Sequence, residues 1–226
     1  MLDGEQYRNG PELVFGLVGA VGASLEPVKD VLKQYLFYVN YNPHEIKLSD
    51  EIKRVPLGQD IEKINNAPDE YQRINGSMEA GDEIRRKSGG GDEVALLGVL
   101  KIQEKRKEIL RKKKNTGYNC GDYETPVGGE HLNFEYVPRT CYIIDSLKHP
   151  SEVETLRKIY GQNFILIGVY SPKKKRILNL AHQIQKSRKR HRRSEFKELA
   201  KTLVDRDEKD PEYSLGQNVS ETFPKA

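Results

Sequence analysis

A strand-like run that leads into a glycine-rich turn is the part of this sequence best suited to chemistry. Residues 12–26 read E-L-V-F-G-L-V-G-A-V-G-A-S-L-E, so an apolar run is interrupted at Gly16, Gly19 and Gly22. Glycines at such close spacing let backbone N–H groups and a helix N-terminus approach a phosphate. The segment therefore predicts a phosphate-binding turn, although the same glycines also occur in ordinary strand-to-helix connections of α/β proteins.

The turn follows the plan of a P-loop but lacks the P-loop side chains. In the pattern G-x-x-x-x-G-K-[ST], the lysine reaches the outer phosphates and the hydroxyl holds Mg²⁺. Counted from Gly19, the chain has Ser24, Leu25 and Glu26 where the pattern requires glycine, lysine and a hydroxyl residue. The sequence thus predicts a nucleotide-binding fold with impaired or altered phosphoryl transfer. The predicted phosphate-facing residues are Gly16, Gly19, Ala20, Val21, Gly22, Ala23 and Ser24.

Strand and helix patterns alternate along the chain, which favours an α/β fold with a doubly wound, mostly parallel sheet and helices on both faces. The predicted strands are residues 13–18, part of 37–41 or 45–48, 140–145 and 163–170. The predicted helices follow Pro27, where Val28, Val31, Leu32, Tyr35 and Leu36 recur at helical spacing, and cover 71–87, 92–113, 151–160, 173–190 and 194–205. We expect one domain over residues 1–226, with 115–138 as a loop or insertion.

The carboxyl ends of parallel strands collect ligands, and this rule groups several polar residues with the glycine turn. Ser49 and Asp50 follow the second predicted strand, and Asp145 closes the apolar run of the third. An acid at that position could coordinate Mg²⁺ as in a Walker B strand, but an aspartate that caps the next turn is equally typical. Further candidate phosphate contacts are Arg85, Arg139, Lys148, Arg176 and Arg206.

Charge is distributed unevenly, because residues 1–100 carry a net charge of −6 and the remainder +10. Residues 173–193 are the most basic stretch and contain no aromatic residue. Such a stretch can bind the phosphates of a nucleotide or of a nucleic acid, or it can form a solvated basic helix. It does not predict a base-stacking surface.

Composition favours a globular protein of a reducing compartment. No apolar run approaches the roughly 20 residues that span a bilayer, and the N-terminus lacks a signal-peptide pattern. Cys120 and Cys141 are the two cysteines, which argues against a disulfide scaffold. We expect a cytoplasmic protein that does not contact a membrane.

Six segments together resemble the N-terminal part of the bacterial anti-phage dCTP/dCMP deaminases, in which a P-loop kinase-like domain precedes a zinc-dependent deaminase. They are residues 16–22 (G-L-V-G-A-V-G), 47–50 (K-L-S-D), 138–161, 164–172 (F-I-L-I-G-V-Y-S-P), 205–208 (D-R-D-E) and 216–223 (G-Q-N-V-S-E-T-F). The resemblance implies a fold similar to deoxynucleotide kinases, with 171–210 as a basic lid. It implies as partners a dNTP or NTP, the deaminase domain, a second copy of the chain and a small inhibitory RNA.

The zinc chemistry of that family is missing from this chain. A zinc deaminase needs H-x-E together with P-C-x-x-C, and neither motif occurs here. Zinc is therefore expected only in a deaminase domain, and Mg²⁺ only together with a nucleotide. The chain ends where the resemblance expects one more strand and then the deaminase, which predicts either a truncated N-terminal piece or a shortened relative.

Three functions remain open at this point. The first is a regulatory nucleotide-binding domain that controls an attached deaminase in antiviral defence. The second is an active deoxynucleoside monophosphate kinase in which Lys148, Arg176 or Arg206 replaces the missing lysine. The third is an RNA-binding module that uses residues 173–193. If that segment is a lid, its hydrogen exchange should slow when a nucleotide binds.

Overall fold

The computed structural model describes residues 10–56, 64–115, 136–188, 193–208 and 217–226. Within these ranges the chain forms a four-stranded sheet of order β2-β3-β1-β4, and all three strand pairs are parallel. The strands are β1 (Leu13–Gly19), β2 (Asn42–Lys47), β3 (Thr140–Leu147) and β4 (Phe164–Val169). The predicted α/β class with a parallel sheet is confirmed.

Helices connect and flank these strands. They are α1 (Glu26–Tyr38), α2 (Leu48–Ile52), α3 (Glu70–Ser88), α4 (Glu93–Asn115), α5 (Pro150–Tyr160), α6 (Lys173–Arg188), α7 (Arg193–Glu208) and α8 (Val219–Thr222). Most predicted boundaries agree within three residues. None of the helices in the described ranges combines the length and the apolar character that crossing a bilayer requires. The predicted loop over 115–138 lies almost entirely outside the described residues.

The second strand corrects one of the two alternatives left by the sequence. A strand within residues 37–41 is wrong, because Phe37 and Tyr38 form the exposed last turn of α1. The chain then turns at Asn40, whose φ is 61°, and β2 begins at Asn42. Pro43 is tolerated in β2 because this strand lies at the edge of the sheet and pairs with β3 alone.

Each face of the sheet has its own hydrophobic core. Val14 and Val18 of β1 face a large cluster that also includes residues of α3, α4 and α5. The alternate residues Phe15 and Leu17 face the opposite side, where Leu36 of α1 covers them. The alternation of side chains along a strand explains why one strand serves both cores.

The apolar residues that recur at helical spacing in α1 do not all face the core. Val31 and Tyr35 are exposed. The side chains that turn inward are Lys29, Leu36 and, in part, Leu32. Lys29 therefore lies on the same face of the helix as Leu32 and Leu36, because residues three or four positions apart share one face.

The predicted lid forms an antiparallel helical hairpin of α6 and α7. Its core includes Leu180 and Ile184 of α6, Phe196 and Leu203 of α7, and Met78 of α3. Ion pairs join the first turn of α6 to the last turn of α7. The hairpin consequently docks on α3 through apolar contacts, with its charged ends next to the carboxyl edge of the sheet.

Candidate functional site

A cavity of about 510 Å³ opens where β1 and β3 end. This volume lies within the range of roughly 300–1,000 Å³ that is typical of small-molecule sites. The chain leaves β1 towards β2 on one side and leaves β3 towards β4 on the other. The cavity is therefore at the point where the strand order reverses, which is where open α/β sheets bind ligands.

Most of the residues predicted from the sequence line this cavity. The structure brings together Gly19, Ala20, Val21, Gly22, Ala23, Ser49, Asp50, Arg85, Asp145 and Lys148. Other lining residues were not predicted, among them Lys53, Gln183 and Gln217. The agreement follows from the rule that ligands bind at the carboxyl ends of parallel strands. The predicted residues that follow a strand lie at this edge of the sheet, where the cavity opens.

Five predicted residues lie outside the cavity lining. Gly16 is inside β1, where an added Cβ would lie 2.8 Å from Leu147 and from Phe164, so its small size serves core packing. Arg139 precedes β3 and therefore lies at the opposite edge of the sheet, where it donates a hydrogen bond to the Val39 carbonyl. The other three are Ser24, which is exposed, and Arg176 and Arg206, which form ion pairs with Glu208 and Asp82.

The glycine turn packs closely against other parts of the protein's backbone. Ala23 N–H donates to the Ala20 carbonyl at 2.9 Å, and Gly22 has a φ of +82°, a conformation that favours glycine. A Cβ at Gly22 would lie 2.6 Å from the backbone oxygen of Arg176 at the start of α6. The turn is thus packed directly beneath α6, and a substitution at Gly22 disturbs this contact whether or not a phosphate binds.

The turn holds an oxyanion that the protein itself supplies. Val21 N–H donates a 2.6 Å hydrogen bond to Oδ2 of Asp207, which is on the last turn of α7. Lys148 Nζ lies 2.8 Å from Oδ1 of the same carboxylate and donates to the Gly19 carbonyl at 2.8 Å. Asp207 is fully buried. A backbone N–H and an ammonium group that contact the two oxygens of one carboxylate also suit the oxygens of a phosphate.

Beside the cavity, Lys29 lies at the centre of three carboxylates. Its Nζ is 2.7 Å from Glu26, 2.5 Å from Glu45 and 2.7 Å from Asp145, and its side chain is 0% exposed. Burial alone would lower the pKa of Lys29, but the hydrogen bonds to the three carboxylates raise it above its usual value. For Glu45, burial opposes ionisation, and the hydrogen bonds from Lys29 and Lys33 nevertheless lower its pKa to about 2.

This cluster contains Asp145, the predicted magnesium ligand. The carboxylate oxygens of Glu26, Glu45 and Asp145 lie within 4.8 Å of one another and are the donors that Mg²⁺ prefers. The Lys29 ammonium contacts all three of them, so a metal ion would bind here only by displacing this ammonium group. The donor set fits Mg²⁺ in its chemistry, but its charge is already neutralised in part by Lys29.

Sequence reasoning missed Lys29, although a signal for it was present. Residues 25, 29, 32 and 36 lie on one face of α1, and three of them are leucines. A single charge on an apolar stripe requires a buried partner of opposite charge. Glu45 and Asp145 supply it from the adjacent strands β2 and β3.

A second buried ion network supports the wall formed by α3. Arg85 lies 2.7 Å from Glu152 and 3.2 Å from Asp82, and Asp82 also pairs with Arg206 of α7. The other oxygen of Glu152 accepts the backbone N–H of Lys148, so the network reaches the cation of the turn. The predicted role of Arg85 as a ligand contact therefore coexists with a structural one.

Three buried polar atoms of cavity-lining residues have no hydrogen-bond partner among the described residues. They are Nε of Arg85, Oε1 of Gln217 and Oδ1 of Asp207, which contacts Lys148 Nζ as an ion pair without hydrogen-bond geometry. Buried polar atoms are normally satisfied, by protein or by ligand. Their presence here is consistent with a polar ligand in the cavity.

The charged side chains that line the described cavity are balanced. The cations are Lys47, Lys53, Arg73, Arg85 and Lys148, and the anions are Glu26, Asp50, Glu70, Asp145 and Asp207. A phosphate that enters this cavity must therefore bring its own cation or displace a carboxylate.

Comparison with known proteins finds that neither a protein-family model nor a curated protein sequence matches this chain. The resemblance described from the sequence remains a prediction.

Proposed function

We propose that this chain binds the phosphates of a nucleotide at the glycine turn and has a regulatory role, in which it controls an attached deoxycytidine nucleotide deaminase. One observation carries the binding proposal. Val21 N–H and Lys148 Nζ converge on a single carboxylate at the carboxyl edge of β1 and β3. This arrangement of donors is the kind that binds phosphate in strand–turn–helix sites.

Among the three cations that the sequence offered in place of the P-loop lysine, Lys148 has the best position. It contacts the turn directly at the Gly19 carbonyl and lines the cavity. Arg176 and Arg206 are held by carboxylates of Glu208 and Asp82 and do not line it. We assign to Lys148 the contact with the phosphate oxygens.

The state of Asp145 supports a role in binding rather than in phosphoryl transfer. In phosphoryl transfer, positioned cations, usually including Mg²⁺, stabilise the charge that develops on the transferred group. Here Oδ2 of Asp145 accepts a hydrogen bond from the buried Lys29. We therefore propose that the chain binds the nucleotide without turning it over at an appreciable rate.

The test is nucleotide binding by wild-type protein and by Lys148→Met, measured by calorimetry with dCTP, dTTP and ATP. We expect at least one of these nucleotides to bind, and Lys148→Met to weaken that binding by about tenfold or more, since a charge-assisted contact is lost. Lys158→Met is the matched control, because Lys158 is exposed on α5 and does not line the cavity.

Three outcomes contradict the proposal. If the folded wild-type protein binds none of these nucleotides, or if both lysine variants bind equally well, the phosphate assignment is wrong. If the wild-type chain converts dCMP to dCDP with ATP, as followed by chromatography, the kinase interpretation replaces the regulatory one.

A further inference from the structure

Every side chain of the last turn of α7 forms an ion pair. Residues 205–208 read D-R-D-E, and each of these four side chains contacts an opposite charge on another element. The pairs are Asp205 with Lys173 at 2.7 Å, Arg206 with Asp82 at 2.9 Å, Asp207 with Lys148 at 2.8 Å, and Glu208 with Arg176. One helical turn therefore joins α6, α3 and the glycine turn.

Asp207 differs from the other three residues in its burial and in its contact with the glycine turn. Asp205 is exposed, whereas Asp207 is fully buried and reaches the glycine turn itself. Burying a carboxylate is costly unless specific donors compensate it, and here Val21 N–H and Lys148 Nζ do so. The same two donors are those that the proposed function assigns to a phosphate oxygen.

We propose that Asp207 is an internal competitor for the phosphate, so that a ligand phosphate binds at Val21 and Lys148 only by displacing the Asp207 carboxylate. This inference rests on the proposed function. Two anions cannot share these donors, because Val21 has one N–H and because like charges in so confined a site repel each other. Displacement also offsets part of the added negative charge, since one carboxylate leaves the donors as the phosphate enters.

The displacement couples the site to the helical hairpin. Asp207 is fully buried on the last turn of α7, so we expect displacement of its carboxylate to shift or unwind the end of this helix. The neighbours Arg206 and Glu208 are tied to α3 and α6, and their pairs are strained or broken by the same shift. Nucleotide binding therefore loosens the last turn of α7, and the hairpin reports whether the site is occupied.

The direction of this effect is opposite to that of a closing lid. A lid becomes more ordered when the ligand arrives, so its hydrogen exchange slows. A displaced α7 end exchanges faster, while the rest of the hairpin, held by Leu180, Ile184 and Phe196, changes little.

The experiment compares wild type, Asp207→Asn and the matched control Asp205→Asn. Both substitutions remove one carboxylate charge from the same helical turn, but only Asp207 contacts the glycine turn. Binding of inorganic tripolyphosphate and of dCTP is measured by calorimetry. We expect Asp207→Asn to bind about tenfold or more tightly than wild type, and Asp205→Asn to bind within about twofold of it.

Hydrogen exchange of the wild-type protein gives a second, independent measurement. With saturating tripolyphosphate, the amides of residues 203–208 are expected to exchange faster, and those of residues 177–184 to remain unchanged. This readout needs no variant, so it decides the question even if Asp207→Asn does not fold.

The outcomes separate this inference from the proposed function. If wild type binds and Asp207→Asn binds equally or more weakly, or if residues 203–208 become protected, the competitor inference is wrong while the proposed function stands. If neither protein binds a phosphate and both are folded, the proposed function fails and the inference fails with it. Binding by Asp207→Asn alone shows that the Asp207 carboxylate blocks the two donors, but it contradicts the proposed function, because the wild-type protein then binds no nucleotide.

Discussion

Replacing Lys29 by methionine tests whether the buried cluster is held together by charge. Methionine keeps the length and the apolar stem of lysine but leaves Glu26, Glu45 and Asp145 facing one another without their shared cation. We expect Lys29→Met to lose stability and to respond to pH in the opposite direction from wild type.

The size of the loss follows from the carboxylates. The fall in the pKa of Glu45 from 4.5 to about 2 corresponds to about 3.5 kcal/mol, at roughly 1.4 kcal/mol per pKa unit. Lys33 also donates to Glu45 and therefore shares this stabilisation, whereas Asp145 adds a further contact with Lys29. We therefore expect a loss of about 3 kcal/mol in the free energy of unfolding, near the lower end of the range for a broken buried ion pair.

The pH dependence gives a sharper result than the size alone. In wild type the depressed pKa of Glu45 stabilises the fold fully above about pH 4.5, and this contribution is lost as the pH falls towards about 2. In Lys29→Met the three carboxylates face one another as like charges without a shared cation, and protonation relieves their repulsion. The variant should therefore gain stability between about pH 7 and about pH 5, where the wild type is unchanged by this cluster.

Urea unfolding followed by far-UV circular dichroism measures both effects. Lys33→Met is the control, because Lys33 is partly exposed and contacts the cluster through Glu45, and its loss should stay near 1 kcal/mol or below it. Millimolar Mg²⁺ or Ca²⁺ should stabilise Lys29→Met and leave wild type unchanged. A loss below about 1 kcal/mol for Lys29→Met, or a pH profile parallel to that of wild type, refutes the reasoning.

Three further predictions concern single buried positions. Glu152→Ala should lower the free energy of unfolding by about 3–5 kcal/mol in urea titrations, because Arg85 is left buried without its closest partner. Burial raises the pKa of the Cys141 thiol to about 12, so peptide-resolved mass spectrometry should find it unmodified by iodoacetamide in the native protein and modified in urea. Gly22→Ala should lower the melting temperature more than Gly89→Ala, because both glycines have positive φ but only Gly22 lies against the α6 backbone; equal losses would contradict that contact.

The sequence predicted the sheet because its strands are short apolar runs with strong local signals. β1, β3 and β4 are such runs, and their neighbours are helices with clear starts, such as Pro150 at the first turn of α5. β2 was ambiguous because it carries Pro43 and His44 and has one side chain, Ile46, that is buried. The aromatic end of α1, with Tyr38 86% exposed, resembled a strand in composition although it is helical.

The cavity could be predicted in outline, whereas its ion pairs could not. The carboxyl-edge rule needs only the order of strands and loops, which local patterns supply. The contact of Val21 with Asp207 joins residues 186 positions apart, and nothing in the local sequence of either indicates the other. Whether a charge is a ligand contact or a structural partner, as for Arg85, depends on such distant contacts.

Glu152 gives the glycine turn a fixed support. It caps α5 together with His149, and one of its oxygens receives the backbone N–H groups of both Lys148 and His149 while the other holds Arg85. The main chain of Lys148 is therefore anchored, and only its side chain is free to change partners. A change of partner at this ammonium group is therefore expected to move the end of α7, while the end of β3 keeps its position.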